Sequence, residues 1–244
     1  MFPLTSHTIV KNEENWIKPA LLSVINQVDR LLVWDTGSTD KTIELIKSIE
    51  SPKIEFKQCG PVRLPSVASR HRGQVDRQYL VDLRNEQIRE TKTDWFLLLD
   101  GDEVWPKKNL LQLIKAAEQA KPQTLALVNR TRNAVGDIYH YLPDEKGHYQ
   151  IGPWRGHLNI RAIKKVADLK VVGEYPLETY TVGGRALQDM PESLEFVDTW
   201  YLHLTHLRRS GWLNSWQVVD RLKKFKFWQR GIEMKPEELP EVLR

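Results

Sequence analysis

The stretch WFLLL, residues 95–99, holds five apolar side chains with no polar alternation. A strand that faces water on one side alternates apolar and polar residues, so an unbroken run marks a strand covered on both faces. Strands of that kind belong to parallel sheets, whose crossover connections lay helices over the two faces. The run ends in Asp100-Gly101-Asp102-Glu103, three carboxylates at the end of a segment built to be buried.

The rest of the first half obeys the same constraint. Short apolar runs at 7–10, 30–34, 53–56 and 124–128 read as strands. Between them, residues 16–27, 41–50, 75–91 and 107–120 carry apolar side chains at helical spacing. Pro19 falls in the first turn of its helix, where a missing N–H costs little. Residues 58–75, rich in Gly, Pro, Ser and Arg, read as a long surface loop. The order β-α-β-α-β-loop-α-β-α-β over residues 1–128 predicts a mostly parallel sheet with helices on both faces.

The second half has shorter strand-like pieces at 157–163, 169–173, 179–183 and 200–207. One amphipathic helix over 210–230 follows, then a polar tail, 231–244. With no internal repeat and no low-complexity linker, residues 1–230 are expected to form one domain. Its expected parts are residues 1–130, residues 131–209 and the helix over 210–230.

With 41% hydrophobic residues in 244, a sizeable core is within reach. A net charge of +4 favours anionic ligands such as phosphates but is too small to imply nucleic acid. Cys59 is the single cysteine, so no intrachain disulfide forms and a reducing compartment is the simpler setting. The N-terminus has no signal-peptide pattern, and no run approaches the ~20 apolar residues of a membrane span. A cytoplasmic location is expected. The helix over 210–230, with Trp212, Trp216 and Trp228 among several lysines, opens the option of peripheral contact with the inner face of a membrane. Docking of its apolar stripe on the sheet is the competing reading.

Open parallel sheets bind ligands beyond the carboxyl ends of their strands. Three polar clusters sit at such ends: Lys11-Asn12-Glu13, the loop Asp35 to Asp40, and Asp100 to Glu103. The middle loop reads as a glycine turn with helix-capping residues, or as a nucleoside contact through Asp35. The last reads as a helix-initiating acidic loop, as a site for Mn²⁺ or Mg²⁺, or as the aspartyl nucleophile of a haloacid-dehalogenase-type phosphatase at Asp100.

Taken in order, Asn12-Glu13, Asp35-Thr36-Gly37-Ser38-Thr39-Asp40-Lys41-Thr42, Arg84-Asn85 and Asp100-Gly101-Asp102 resemble the family 2 glycosyltransferases, which have a GT-A fold. The resemblance covers about residues 6–130 and implies a nucleotide-sugar-binding half (1–130) and an acceptor-side half (131–209). It implies a metal-dependent, inverting enzyme that moves sugar from a UDP-, GDP- or dTDP-sugar to a hydroxyl of a glycan, lipid-linked or other acceptor. It also implies donor contacts at Val10, Asn12, Glu13, Asp35, Gly37, Ser38, Arg84, Asp100 and Gly101, and Asp102 as the principal ligand of Mn²⁺ or Mg²⁺. Arg208 is a further candidate for the diphosphate. His203 and His206 are candidate ligands; in an extended segment they face opposite sides, so one is expected to serve, with His203 preferred. The base that inversion requires is expected at Glu174, with Glu178 as the alternative. Trp154 and Arg155 are candidates for acceptor contact, Trp154 by stacking on a sugar or by packing on the core. A non-catalytic nucleotide-sugar-binding protein is the remaining alternative.

Overall fold

The computed structural model describes residues 2–60, 77–174, 177–207 and 231–244. In chain order the first half forms β1 (Leu4–Val10), α1 (Ile17–Val24), β2 (Arg30–Asp35), α2 (Thr42–Lys47), β3 (Ile54–Gln58), α3 (Arg77–Glu90), β4 (Trp95–Leu98), β5 (Glu103–Val104) and α4 (Lys107–Glu118). There follow β6 (Ala126–Val135), β7 (Asp137–Tyr141), β8 (Tyr149–Ile151), β9 (Trp154–Gly156) and β10 (Leu158–Lys164). The last elements are β11 (Lys170–Val172), β12 (Thr179–Val182), β13 (Arg185–Ala186), β14 (Leu194–His203) and β15 (Ile232–Glu233). The helix expected over 210–230 lies outside the described residues, as does most of the loop expected over 58–75.

Strands β3, β2, β1 and β4 lie side by side and parallel. Antiparallel β10 joins β4 to β6, and β14 runs parallel to β6. The double coverage expected of WFLLL is present. Trp95, Leu97 and Leu99 pack with Ile17, Leu21 and Val24 of α1 and with Leu110, Leu113 and Ile114 of α4. Phe96 and Leu98 face the opposite side, in a cluster with Val81 and Ile88 of α3. Each neighbouring residue of the run therefore has its own apolar layer, which is why none of them is polar.

Two strands depart from their sequence limits. β6 runs to Val135, because Asn129, Thr131 and Asn133 are buried polar side chains on one face and break the apolar signal. β14 begins at Leu194, well before the aromatic run, and stops at His203. It pairs with the short β5, setting His203 opposite Glu103. Residues 231–244, a polar tail by composition, dock on the sheet. β15 pairs with β7, and Met234 and Leu239 are buried beside Val104 and Leu202. Arg132 lies over the Trp200 ring at 3.8 Å and meets Glu238 at 3.0 Å, tying this segment down.

His7 is buried in β1, stacked on Phe96 at 4.3 Å, with Nε2 2.5 Å from Thr91 Oγ1. Burial pushes its imidazole down to about 3, and the charges of Arg84, Lys165 and Arg30 add to this. A histidine kept neutral stabilises the fold fully above its unfolded value near 6.5, and that stability is lost as pH falls toward the folded value. Urea midpoints measured from pH 7 down to pH 4 are expected to fall less steeply in His7→Gln than in the wild type. Parallel slopes would remove His7 from the acid sensitivity.

Candidate active site

The three polar clusters converge as the topology requires. Val10 pairs with Asp35 across β1 and β2, and Leu99 N–H donates to the His7 carbonyl, carrying the acidic loop to the same edge. Gly101 lies against Val10 and Glu13: an added Cβ would stand 3.1 Å from Val10 Cγ2 and 3.2 Å from Glu13 Cγ. The glycine between the two aspartates thus lets the acidic loop lie down on the end of β1.

The first two clusters are zipped together. Asp35 is buried and accepts from the N–H groups of Gly37 and Ser38 at 2.9 and 3.0 Å, and from the Ser38 hydroxyl. Gly37 adopts φ 90°, the turn conformation its lack of a Cβ permits. Asn12 sits at φ 54° and accepts from Thr39 N–H at 2.8 Å, while its own N–H donates to Ser38 Oγ. Glu13 N–H donates to Thr42 Oγ1 at 2.7 Å. The turn chemistry expected of the middle loop is present, and it shapes a rim at the edge where Asp35 sits.

Glu103, without a role in the sequence beyond helix initiation, is fully buried and ion-paired with Arg161 of β10. The same Arg161 Nη2 lies 3.0 Å from Asp100 Oδ2, and Nε donates to the Tyr201 hydroxyl at 3.1 Å. Glu103 Oε2 also accepts from Asp100 N–H at 3.2 Å. Burial pushes the Glu103 carboxyl up while Arg161 pulls it down. Burial opposes the charge of Arg161, and Glu103, Tyr201 and Asp100 outweigh it, so the guanidinium stays charged. The loop is thus moored from beneath, leaving the Asp100 side chain 40% exposed at the edge.

Asp102 is buried, and its Oδ2 lies 3.5 Å from His203 Nε2 at the end of β14. Burial lowers the His203 imidazole despite the nearby Glu103 and Asp100 carboxylates, so it is neutral and able to donate a lone pair. His206 lies three residues on, in the turn after the strand. Among the described residues no set of three or more His, Cys, Asp or Glu side chains forms a closed metal site. One carboxylate and one imidazole facing each other suit an ion that takes its other oxygens from water and a diphosphate.

Arg84 of α3 reaches the same region. Its Nε lies 3.3 Å from Glu178 Oε1; burial opposes its charge, and Tyr180, Asp100 and Glu178 outweigh it. The next residue, Asn85, clasps the Val171 backbone, its amide donating to the carbonyl at 2.9 Å and its oxygen accepting from the N–H at 2.8 Å. Arg84, Arg161, Asn159, Glu178, Tyr180 and Gln188 line a cavity of about 190 Å³. Near these two acids, Leu177 N–H donates to the Glu174 carbonyl at 2.6 Å. Glu174 is exposed, whereas the Glu178 carboxylate is mostly buried. Trp154 stacks on Phe196 at 5.6 Å, so one face is spent on packing, and Arg155 is exposed. Arg208 lies outside the described residues.

Arg161, Asn133 and His157 were not singled out as site residues from the sequence. The available signal for Arg161 was one arginine inside the apolar run LNIRAI.

Residues 7–171 match the sequence profile of Glycosyl transferase family 2, and the chain belongs to that family. Membership sets the aspartyl-phosphatase reading aside. A relative is the SPbeta prophage-derived glycosyltransferase SunS of Bacillus subtilis (strain 168), 29% identical over 114 residues, which are 47% of this chain and 23% of SunS. The fold is GT-A, like that of S. aureus TarS. The structure of TarS 1–349 in complex with UDP-GlcNAc matches with a TM-score of 0.54 at 13% identity, over 86% of this chain and 60% of that one. Another TarS structure matches at 0.53 and 12% identity, over 83% of this chain and 37% of that one. This chain therefore spans only part of the relatives it matches.

Replacing Arg161 with Met leaves Glu103 buried and unpaired, and is expected to cost ~3–5 kcal/mol in urea unfolding. The double variant Arg161→Met/Glu103→Leu is expected to recover part of that loss. A double variant no more stable than Arg161→Met would show that the two charges are not coupled.

Proposed function

We propose that this protein transfers a sugar from a nucleoside-diphosphate sugar to an acceptor hydroxyl, with inversion at the anomeric carbon. The observation that carries the reading is the meeting of Asp102 with His203 at the sheet edge that also holds Asp35 and Asp100. Family membership and the UDP-GlcNAc named for TarS favour a nucleotide-sugar donor, with UDP the first nucleotide to test.

In this reading Glu13 and Asp35 flank the nucleoside, and the rigid rim of Val10, Asn12, Gly37 and Ser38 bounds its pocket. Asp100, at the exposed end of the Asp100–Gly101 step, faces the ribose. Asp102 and His203 would hold Mn²⁺ or Mg²⁺, which would supply positive charge to the departing diphosphate. Arg84, kept charged by Glu178, Tyr180 and Asp100, faces the donor sugar and its phosphates.

The reaction needs one base. The acceptor hydroxyl gives up its proton as its oxygen bonds to the anomeric carbon, and the bond to the diphosphate oxygen breaks with its electron pair. Glu178 is ion-paired with Arg84, an arrangement that suits it to positioning the guanidinium. Glu174, which is exposed, is the base in this reading. The acceptor is a glycan, a lipid-linked hydroxyl or another hydroxyl compound reaching the side of Trp154 and Arg155. The location is cytoplasmic, and residues 210–230 would supply any contact with the inner face of a membrane. No described helix is long and apolar enough to cross one.

Two measurements test this. A panel of nucleotides with and without Mn²⁺ is expected to raise the melting temperature, and Asp102→Ala is expected to abolish the Mn²⁺-dependent part; an unchanged shift would sink the metal role. Glu174→Gln is expected to keep donor binding and lower turnover by ~10²-fold or more, the range of general-base loss. Glu178→Gln is expected to weaken donor binding instead. Donor binding without turnover in the wild type, on any hydroxyl acceptor tried, would favour a non-catalytic binding protein.

A further inference from the structure

The Asp102–His203 pair is the near end of a longer hydrogen-bonded chain. His203 and Asn133 are register partners on the parallel strands β14 and β6. Their side chains meet, His203 Nδ1 lying 3.2 Å from Asn133 Oδ1. The other atom of that amide, Nδ2, lies 3.0 Å from His157 Nδ1. Asn133 and His157 are both buried, at 8% and 6% exposure, so water does not readily substitute for either partner. The His157 backbone is fixed as well: its carbonyl accepts from Thr131 N–H at 2.9 Å, and Gly147 packs so closely on Gly156 and His157 that a side chain there has no room.

The chemistry of an amide gives this chain a direction. An amide oxygen only accepts and an amide nitrogen only donates. Against Asn133 Oδ1, His203 must carry its proton on Nδ1. A neutral imidazole has one proton, so Nε2 keeps a lone pair, and Nε2 is the atom that faces Asp102. The 3.5 Å separation from Asp102 Oδ2 agrees, because an N–H donating to a carboxylate would draw in to ~2.7–2.9 Å. With its proton on Nε2, His203 would instead donate to Asp102, and both atoms would be closed to an ion. In the same orientation Asn133 Nδ2 donates to a lone pair on His157 Nδ1.

We propose that Asn133 is a positioning residue that selects the metal-binding tautomer of His203, with His157 as the anchor that keeps the Asn133 amide from turning over. The proposal rests on the reading of Asp102 and His203 as a divalent-cation site. It assigns a task to β6 and to the PWRGH segment, 153–157, which the donor-side motifs leave without one.

The test reads the tautomer directly on the metal-free, ¹⁵N-labelled full chain, from the imidazole nitrogen shifts of His203, and separately reads Mn²⁺ affinity with UDP present. The wild type is expected to show Nδ1–H and a bare Nε2. Asn133→Leu removes the acceptor and is expected to shift His203 toward Nε2–H and weaken Mn²⁺ binding ~10–100-fold, the range for lost outer-shell partners. Asn133→Asp keeps an acceptor against Nδ1 and is expected to retain the Nδ1–H tautomer. His157→Phe, which frees the amide to turn, is expected to give a mixture. A wild-type His203 protonated on Nε2 overturns the proposal, even if Asn133→Leu does not fold. So does an Asn133→Leu protein with unchanged tautomer and affinity. Wild-type protein that shows Nδ1–H but binds no Mn²⁺ overturns the metal site alone, and leaves the tautomer assignment standing.

Discussion

The buried guanidinium of Arg161 is the contact on which the site depends. It is ion-paired with Glu103, reaches Asp100 and leans on the Tyr201 hydroxyl, joining β10, β14 and the acidic loop in one knot. A loop ending a parallel strand is normally free to drift. Here its last carboxylate is pulled down into the sheet. Its first is left at the surface, and the middle one is turned toward His203. Three acids in a row repel one another unless a cation sits among them. Arg161 supplies that cation from a strand 58 residues further along the chain.

The sheet around this knot explains why the loop is where it is. β4 is central, and its neighbouring residues feed separate apolar layers, so the strand cannot shift by one residue without burying a face wrongly. Its end is therefore a fixed point. Gly101 then permits the chain to lie against Val10 and Glu13, bringing the acidic loop beside the rim that Asp35 shapes. Rigidity of this rim comes from backbone and turn chemistry; the opposite wall comes from α3. Asn85 clasps β11 while its neighbour Arg84 pairs with Glu178, so one helical turn holds a strand and sets a charge.

The residues of the three polar loops were legible in the sequence because they lie in consecutive strand-to-helix loops, where local chemistry and position coincide. Asp35, Asp100 and Asp102 could be placed on one edge from strand order alone. His203 could be ranked over His206 only narrowly, and it is β14 ending at His203, with its pairing to β5, that sets it against Asp102. Glu103 could not be understood without Arg161, nor His157 without Asn133, because those partners come from strands whose adjacency no local pattern announces. Glu174 and Glu178 looked alike in sequence; the ion pair to Arg84 separates them.

From the amino-acid order alone came the class of fold, the apolar run that needs two covers, and the family whose motifs it carries in order. Periodicity and turn chemistry act over a few residues, so they survive in a linear reading. The tertiary structure alone decided which charges are neutralised, which acid stays exposed and which histidine faces the acidic loop. Those outcomes depend on burial and on hydrogen-bond partners tens of residues apart, and burial is a property of the packed chain that no single segment possesses.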